Sequence, residues 1–196
     1  MKFNILTSTC APLAVENVDT DQIIPARFLK GTSREGFGEN LFRDWRYDAS
    51  GREIPGFVLN DPRYREAIIL VAGKNFGCGS SREHAAWAIA DYGFRAVIST
   101  FFADIHKNNE LNSFVLPVVV SPEFLAELFA SIGADPSTTV TIDLPAQTVT
   151  NNATGRTERF DINPYKKQCL LEGLDDIEYL LSHRSDIEHF EKQNGK

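Results

Sequence analysis

The sequence predicts one mixed α/β domain, and three observations carry that prediction. Between residues 67 and 133 short apolar runs alternate with segments of helical spacing, the pattern of parallel strands joined by helices. From Thr138 to Ile162 the pattern turns β-rich, with "NNATG" (151–155) as a hairpin signal. From Asn163 onward the chain is charged and helical. At 196 residues it is long enough for one sizeable core and short for two domains, and no repeat or low-complexity tract breaks it.

Taken in order, "KFNIL" (2–6) and "APLAV" (11–15) read as two short strands leading into "NVDTDQIIP" (17–25), a polar turn closed by Pro25. Residues 26–57 are the least regular part, mixing five glycines with Phe28, Phe37, Phe42, Trp45 and Tyr47. A loop this long inside a compact domain is functional or disordered, and its aromatics favour a functional loop that packs on something at least part of the time. "AIILVAG" (67–73) has the continuous apolar run of a buried strand. "SSREHAAWAIADYG" (80–93) has helical spacing with Gly93 as its stop, "AVIST" (96–100) is the next strand, and 101–114 a helix. "VLPVVV" (115–120) is another buried strand. Ser121 then caps a helix with Pro122 at its first position and Gly133 past its end. "TTVTIDL", "QTVT" and "TERFDI" supply the late strands, and the tail places Leu174, Ile177, Leu180 and Leu181 on one helical face.

The composition narrows the function. A net charge of −7 argues against a general nucleic-acid binder, which shows a basic face, but permits a small anionic substrate held by local positive charge. No run approaches the ~20 apolar residues of a membrane span. "MKFNILTSTCAPLAV" has none of the features of a secretory leader, so a cytoplasmic protein is expected. Cys10, Cys78 and Cys169 are odd in number and lack metal-finger spacing, which predicts reduced thiols and no metal site of this chain's own.

The chemistry concentrates in "KNFGCGSSREHAAW" (74–87). It lies between a buried strand and a helix N-terminus, where free backbone N–H groups and the helix dipole favour negative charge. Two glycines permit a sharp turn, and Arg82 offers a planar fork for a carboxylate. The plainer reading is a capping box, Ser80 at the N-cap and Glu83 reaching back. Capping alone does not call for the glycine pair, the doubled serine and an arginine together. A Walker-type phosphate loop is disfavoured because Lys74 lies on the wrong side, and a serine hydrolase because no Gly-x-Ser-x-Gly is present. His84 carries no signal as a base for Ser80. What remains is a serine beside an arginine and backbone donors, suited to gripping a dicarboxylate or, with its alkoxide stabilised, to acting as a base.

"NFGCGSSREHAAWAIADYGFRAVI" resembles the serine loop of the aconitase superfamily, and within it the small subunits of 3-isopropylmalate dehydratases (isopropylmalate isomerases). "NVDTDQIIPARFL", "GFGENLFRDWRY", "PGFVLN", "FADI", "LPVVV" and "CLLEGLDDI" follow that subunit in order, over nearly the whole chain.

The resemblance implies an aconitase-like swivelling β/β/α domain over 1–196, with a mixed sheet, helices on one side, a second β layer and C-terminal helices. It implies Ser80 as the base that removes a proton next to a carboxylate, with Ser81 and Arg82 binding the carboxylate or stabilising the serine. Asp21 matches the aspartate facing the site better than Asp19, and the plainer reading of both is that they brace a turn. Specificity is attributed to the following loop, where Phe28 and Leu29 would suit an isopropyl group while Arg27 and Lys30 keep a carboxylate-binding alternative open. Residues 26–57 would be a mobile substrate lid. Losing hydroxide requires a Lewis acid, which the resemblance places in a 4Fe–4S cluster on a large-subunit partner. The expectation is thus half an enzyme, interconverting 2- and 3-isopropylmalate in leucine biosynthesis. The alternatives are the same chemistry on a citramalate- or homoaconitate-type substrate, or a dicarboxylate-binding module without turnover. His106, His183 and His189 are expected to be surface or helix residues.

Overall fold

The computed structural model describes residues 2–29, 35–80 and 82–195. Along the chain run β1 (Ile5–Leu13), the single turns α1 (Thr20–Ile23) and α2 (Arg43–Arg46), β2 (Ile69–Ala72), α3 (Glu83–Tyr92), β3 (Ala96–Ser99), α4 (Asp104–Asn112), β4 (Leu116–Val119) and α5 (Pro122–Ala134). Then come β5 (Thr139–Asp143), β6 (Thr148–Asn151), β7 (Thr157–Arg159), α6 (Pro164–Glu172), α7 (Asp176–Ser182) and α8 (Arg184–Gln193).

The strands form one mixed sheet in the order β4-β3-β2-β1-β5-β6-β7. β1 is a single nine-residue strand where two were expected, and its halves do different work. Residues 5–9 pair antiparallel with β5, and residues 10–13 pair parallel with β2. Pro12 fits because beyond Thr9 only one neighbour needs hydrogen bonds, and Pro117 fits because β4 is an edge. The expected second β layer is the β5–β6–β7 half, carried on the same sheet through β1.

Parallel β2 and β3 are buried along their whole length, as strands covered on both faces must be. Ile69 and Val71 face one core with Phe124, Leu128 and Ile132 of α5 and Leu170 of α6. Leu70 and Ala72 face the other, with Ala85, Ala88 and Ile89 of α3. Helices therefore cover both faces of the parallel half, not one. The antiparallel strands alternate buried and part-exposed residues, with Thr7–Thr141 and Thr150–Thr157 hydroxyl contacts of 2.9 and 2.8 Å across the open face.

Gly93 ends α3 as expected, whereas α5 runs through Gly133 to Ala134. The tail breaks into three helices, leaving Ile177, Leu180, Leu181, Ile187 and Phe190 exposed. Among the described residues no helix is long and apolar enough to cross a membrane.

Candidate active site

In open α/β sheets the carboxyl ends of parallel strands gather loops into a crevice, and here the loops after β1, β2 and β3 meet. The loop after β1 is pinned by Asp19, whose carboxylate accepts from the Gln22 N–H at 2.8 Å while the Gln22 side chain accepts from the Asp19 N–H at 2.9 Å. This is a capping box, legible in "DTDQ" but not expected there. The loop after β2 is laced onto it: Gly77 and Cys78 N–H groups both donate to the Val18 carbonyl (2.8 and 3.1 Å), and the Thr20 N–H donates to that of Cys78 (3.1 Å). Asn75 donates to Asn17 at 2.9 Å, and the Thr20 hydroxyl donates to the Ser80 carbonyl at 2.5 Å. From the other side, the Phe76 N–H donates to Phe101 and the Ala103 N–H to Phe76, both at 3.1 Å.

Ser80 emerges from this lacing exposed, with its carbonyl fixed. It does not cap α3. Arg82 is the N-cap, still extended at φ −138° and ψ 116°, and its own side chain makes no cap hydrogen bond. The Glu83 carboxylate accepts instead from the Trp87 indole at 3.2 Å. Thr20 holds Ser80 and Arg82 is itself extended, so the helix starts late and both side chains precede it. Arg82 forms an ion pair with Asp21, bringing together two of the expected site residues. Asp19 braces the turn. His84 joins a mutual ring cluster with Phe37 and Trp87, its centroid 5.3 and 4.6 Å from theirs. Ser81 and Lys30 lie outside the described residues.

Phe28 and Leu29 close the turn after Pro25 and pack part-buried on the second core. Arg27 covers the Phe28 ring at 4.6 Å. The cleft beside them is lined by Arg27, Phe28, Arg43, Asp44, Tyr47 and Ile54 among others, and does not include Ser80, Asp21 or Arg82. Further along the 26–57 segment the aromatics do pack: Phe37, Leu41 and Phe42 are buried in the second core. Asp91 accepts from the Gly38 N–H at 2.7 Å, and Asn60 donates to the Arg46 and Ile54 carbonyls.

A profile of the aconitase C-terminal domain matches residues 1–123, and a profile described as LeuD_N matches residues 126–164. The 3-isopropylmalate dehydratase small subunit of Azobacteroides pseudotrichonymphae is 62% identical over 191 residues, 97% of each chain. That of Christiangramia forsetii is 58% identical over 196 residues, 100% of this chain and 95% of its own. The chain belongs to the aconitase C-terminal domain family. A crystal structure titled 3-isopropylmalate dehydratase (leuD) from Methanocaldococcus jannaschii superposes with a TM-score of 0.67 at 25% identity, covering 94% of this chain and 98% of that one.

Membership of the aconitase family raises the question of an iron–sulfur cluster, and the thiols of this chain do not fit one. Cys10 is sealed in the middle of β1, where burial pushes its thiol up to about 12. Cys169 is buried on α6, and Cys78 on the serine loop donates to the Asn17 carbonyl at 3.3 Å. Among the described residues no three His, Cys, Asp or Glu side chains gather as a metal site.

The aconitase fold also holds a pair that the sequence reading missed. His106, expected at the surface or on a helix, is on α4 but only 1% exposed, and Glu110, one turn on, is 0% exposed. Their Nε2 and Oε1 atoms approach to 3.1 Å. The i,i+4 spacing was visible in "HKNNE", but nothing local announced that this face of α4 turns inward.

Proposed function

We propose that this chain is the small subunit of a 3-isopropylmalate dehydratase, supplying the base to a site completed by a large subunit. The observation that carries the reading is the exposed Ser80, held by its own carbonyl beside Arg82 where three strand-end loops meet. Ser80 Oγ takes the proton from the carbon next to a substrate carboxylate and returns a proton when water adds one carbon over. Arg82 grips that carboxylate, and Asp21 occupies its fork until substrate arrives. A fixed guanidinium beside the serine lowers the cost of an alkoxide. Ser81 adds a second hydroxyl to the same carboxylate. Phe28 and Leu29 face the alkyl branch once the segment bearing them closes, and 26–57 acts as a lid anchored by Phe37 and Phe42. Departure of hydroxide needs a Lewis acid, which we assign to a 4Fe–4S cluster on the large subunit. The rim next to the serine loop suits that partner: Phe101 and Ile105, 50% and 60% exposed, flank the start of α4 on the segment that laces Phe76.

The test is anaerobic turnover of 2-isopropylmalate by this chain alone and with a reconstituted large subunit. Activity only in the mixture is expected, together with slower proteolysis within 26–57 in the mixture. Activity of the chain alone overturns the shared site, and a mixture active only on citramalate or homoaconitate overturns the substrate. Equal cleavage with and without partner removes the lid.

A further inference from the structure

The His106–Glu110 pair lies directly beneath the serine loop. A Cβ added at Gly77 would sit 2.0 Å from His106 Cδ2 and 2.1 Å from Cγ, so the imidazole rests on the backbone of a residue three positions before Ser80. Gly77 holds a left-handed φ of +71°, and nothing larger than its hydrogen fits between loop and ring. The ring also meets Phe76 edge-on, with centroids 5.5 Å apart, and Phe76 is the residue whose backbone is laced to Phe101 and Ala103 on the way into α4. The loop is thus clamped from two sides, by Val18 and Thr20 above and by the start of α4 below.

A packing role alone does not explain the chemistry chosen. Two ionisable side chains sealed from solvent carry a desolvation cost that an apolar pair of similar volume avoids, and such replacements are commonly neutral or stabilising. Elsewhere on the inward side of α4 an ordinary apolar residue, Leu111, fills the space. What the pair adds is a constraint on the ring: the Glu110 carboxylate on the next turn lies 3.1 Å from Nε2, a close polar contact without hydrogen-bond geometry.

We propose that the buried His106–Glu110 pair is a positioning device for Ser80, with Glu110 setting the tilt of the imidazole and the imidazole setting the backbone at Gly77. This rests on Ser80 being the base. A displacement of about 1 Å at a reacting group costs on the order of a hundredfold in rate, so a support three residues away acts on turnover more than on binding.

The test uses the assembled two-subunit enzyme with 2-isopropylmalate. His106→Ala is expected to lower kcat by about tenfold or more with KM within about threefold of the parent. His106→Gln, which keeps a polar side chain of similar length facing Glu110, is expected to recover most of that loss. Unchanged kcat in His106→Ala overturns the proposal, as does a loss that tracks the folded fraction in thermal melts, or a His106→Gln no better than Ala. Should His106→Ala not fold, the isosteric Glu110→Gln decides: a loss of about threefold or more in kcat at constant KM supports the pair, and parental kcat overturns it. Ser80→Ala is run alongside. If it is as active as the parent the serine reading itself has failed, whereas an inactive Ser80→Ala beside a fully active His106→Ala removes only the clamp.

Discussion

The two halves of the single sheet solve the same problem, turning a chain at the end of a strand, in opposite ways. In the antiparallel half the backbone of the turn between β6 and β7 closes on itself: Asn151 and Gly155 close it within five residues, Thr150 faces Thr157, and Gly155 at φ +76° has nothing within 4 Å of its absent Cβ, while the Asn151 and Thr154 side chains reach Glu127 of α5. In the parallel half the turn after β2 is held by residues far away in sequence, Val18, Thr20, Phe101 and His106, and Gly77 at φ +71° is pressed between them. A turn whose backbone closes on itself can be altered at its open tip, Gly155, without moving a distant side chain. A turn assembled from three loops fixes a side chain in space, which is what a catalytic group requires.

Two serines break the comparison most sharply. Ser80→Ala is expected to lower kcat of the assembled enzyme by about 10² to 10⁴-fold, the range for removing a general base, with no shift in melting temperature because its side chain is exposed. Ser121 caps α5, accepting from the Phe124 N–H at 3.1 Å. Ser121→Ala loses both the cap and the hydroxyl bond to Glu158, and is expected to cost about 1 to 3 kcal/mol of stability and leave kcat unchanged. Kinetics and melts on both variants read the two effects separately, and a full-activity Ser80→Ala ends the comparison.

The glycines sharpen it. Gly155→Ala meets open space, so only the left-handed backbone resists, about 1 to 2 kcal/mol, and turnover is expected to hold. Gly77→Ala meets the same backbone penalty and the sealed His106 ring as well. We expect its melting temperature to fall further and kcat to fall by about tenfold or more, since either the ring or the loop must move. Equal effects of the two substitutions on turnover would mean that the loop before Ser80 tolerates displacement.

The same contrast governs what could be read without coordinates. The strand–helix alternation, the cap at Ser121, the stop at Gly93 and the "NNATG" turn were legible because each is set by neighbours within a few residues. Ser80, Arg82 and Asp21 stood out as candidates because they lie in dense, unusual motifs, and the structure brings Arg82 and Asp21 together. The late start of α3 was not, because it depends on Thr20 holding the Ser80 carbonyl from sixty residues away. Likewise the continuity of β1 depends on two partners taking over from each other along its length. The burial of His106 was hidden for a related reason: α4 has a low apolar content, and its inward face is chosen by the loop it supports rather than by its own periodicity.

The last expected effect spares turnover and centres on Glu158 of β7, whose carboxylate the start of α5 contacts. Burial raises its carboxyl pKa, but the Ser121 hydroxyl and N–H at 2.6 and 3.0 Å and Arg156 at 2.8 Å outweigh that and hold it below the ordinary glutamate value. A carboxylate whose pKa is depressed by folding stabilises the native state above its unfolded pKa, and that contribution disappears as pH falls through the native value. Glu158→Gln cannot ionise, so it lacks the contribution at every pH. Near pH 7 the substitution is expected to cost about 1 to 2 kcal/mol with turnover intact. The melting-temperature gap between parent and variant is then expected to narrow as pH drops from about 5 toward 3, across and below the ordinary glutamate range. A gap that stays constant over that interval would show that the Ser121 contacts act by shape alone, without the charge.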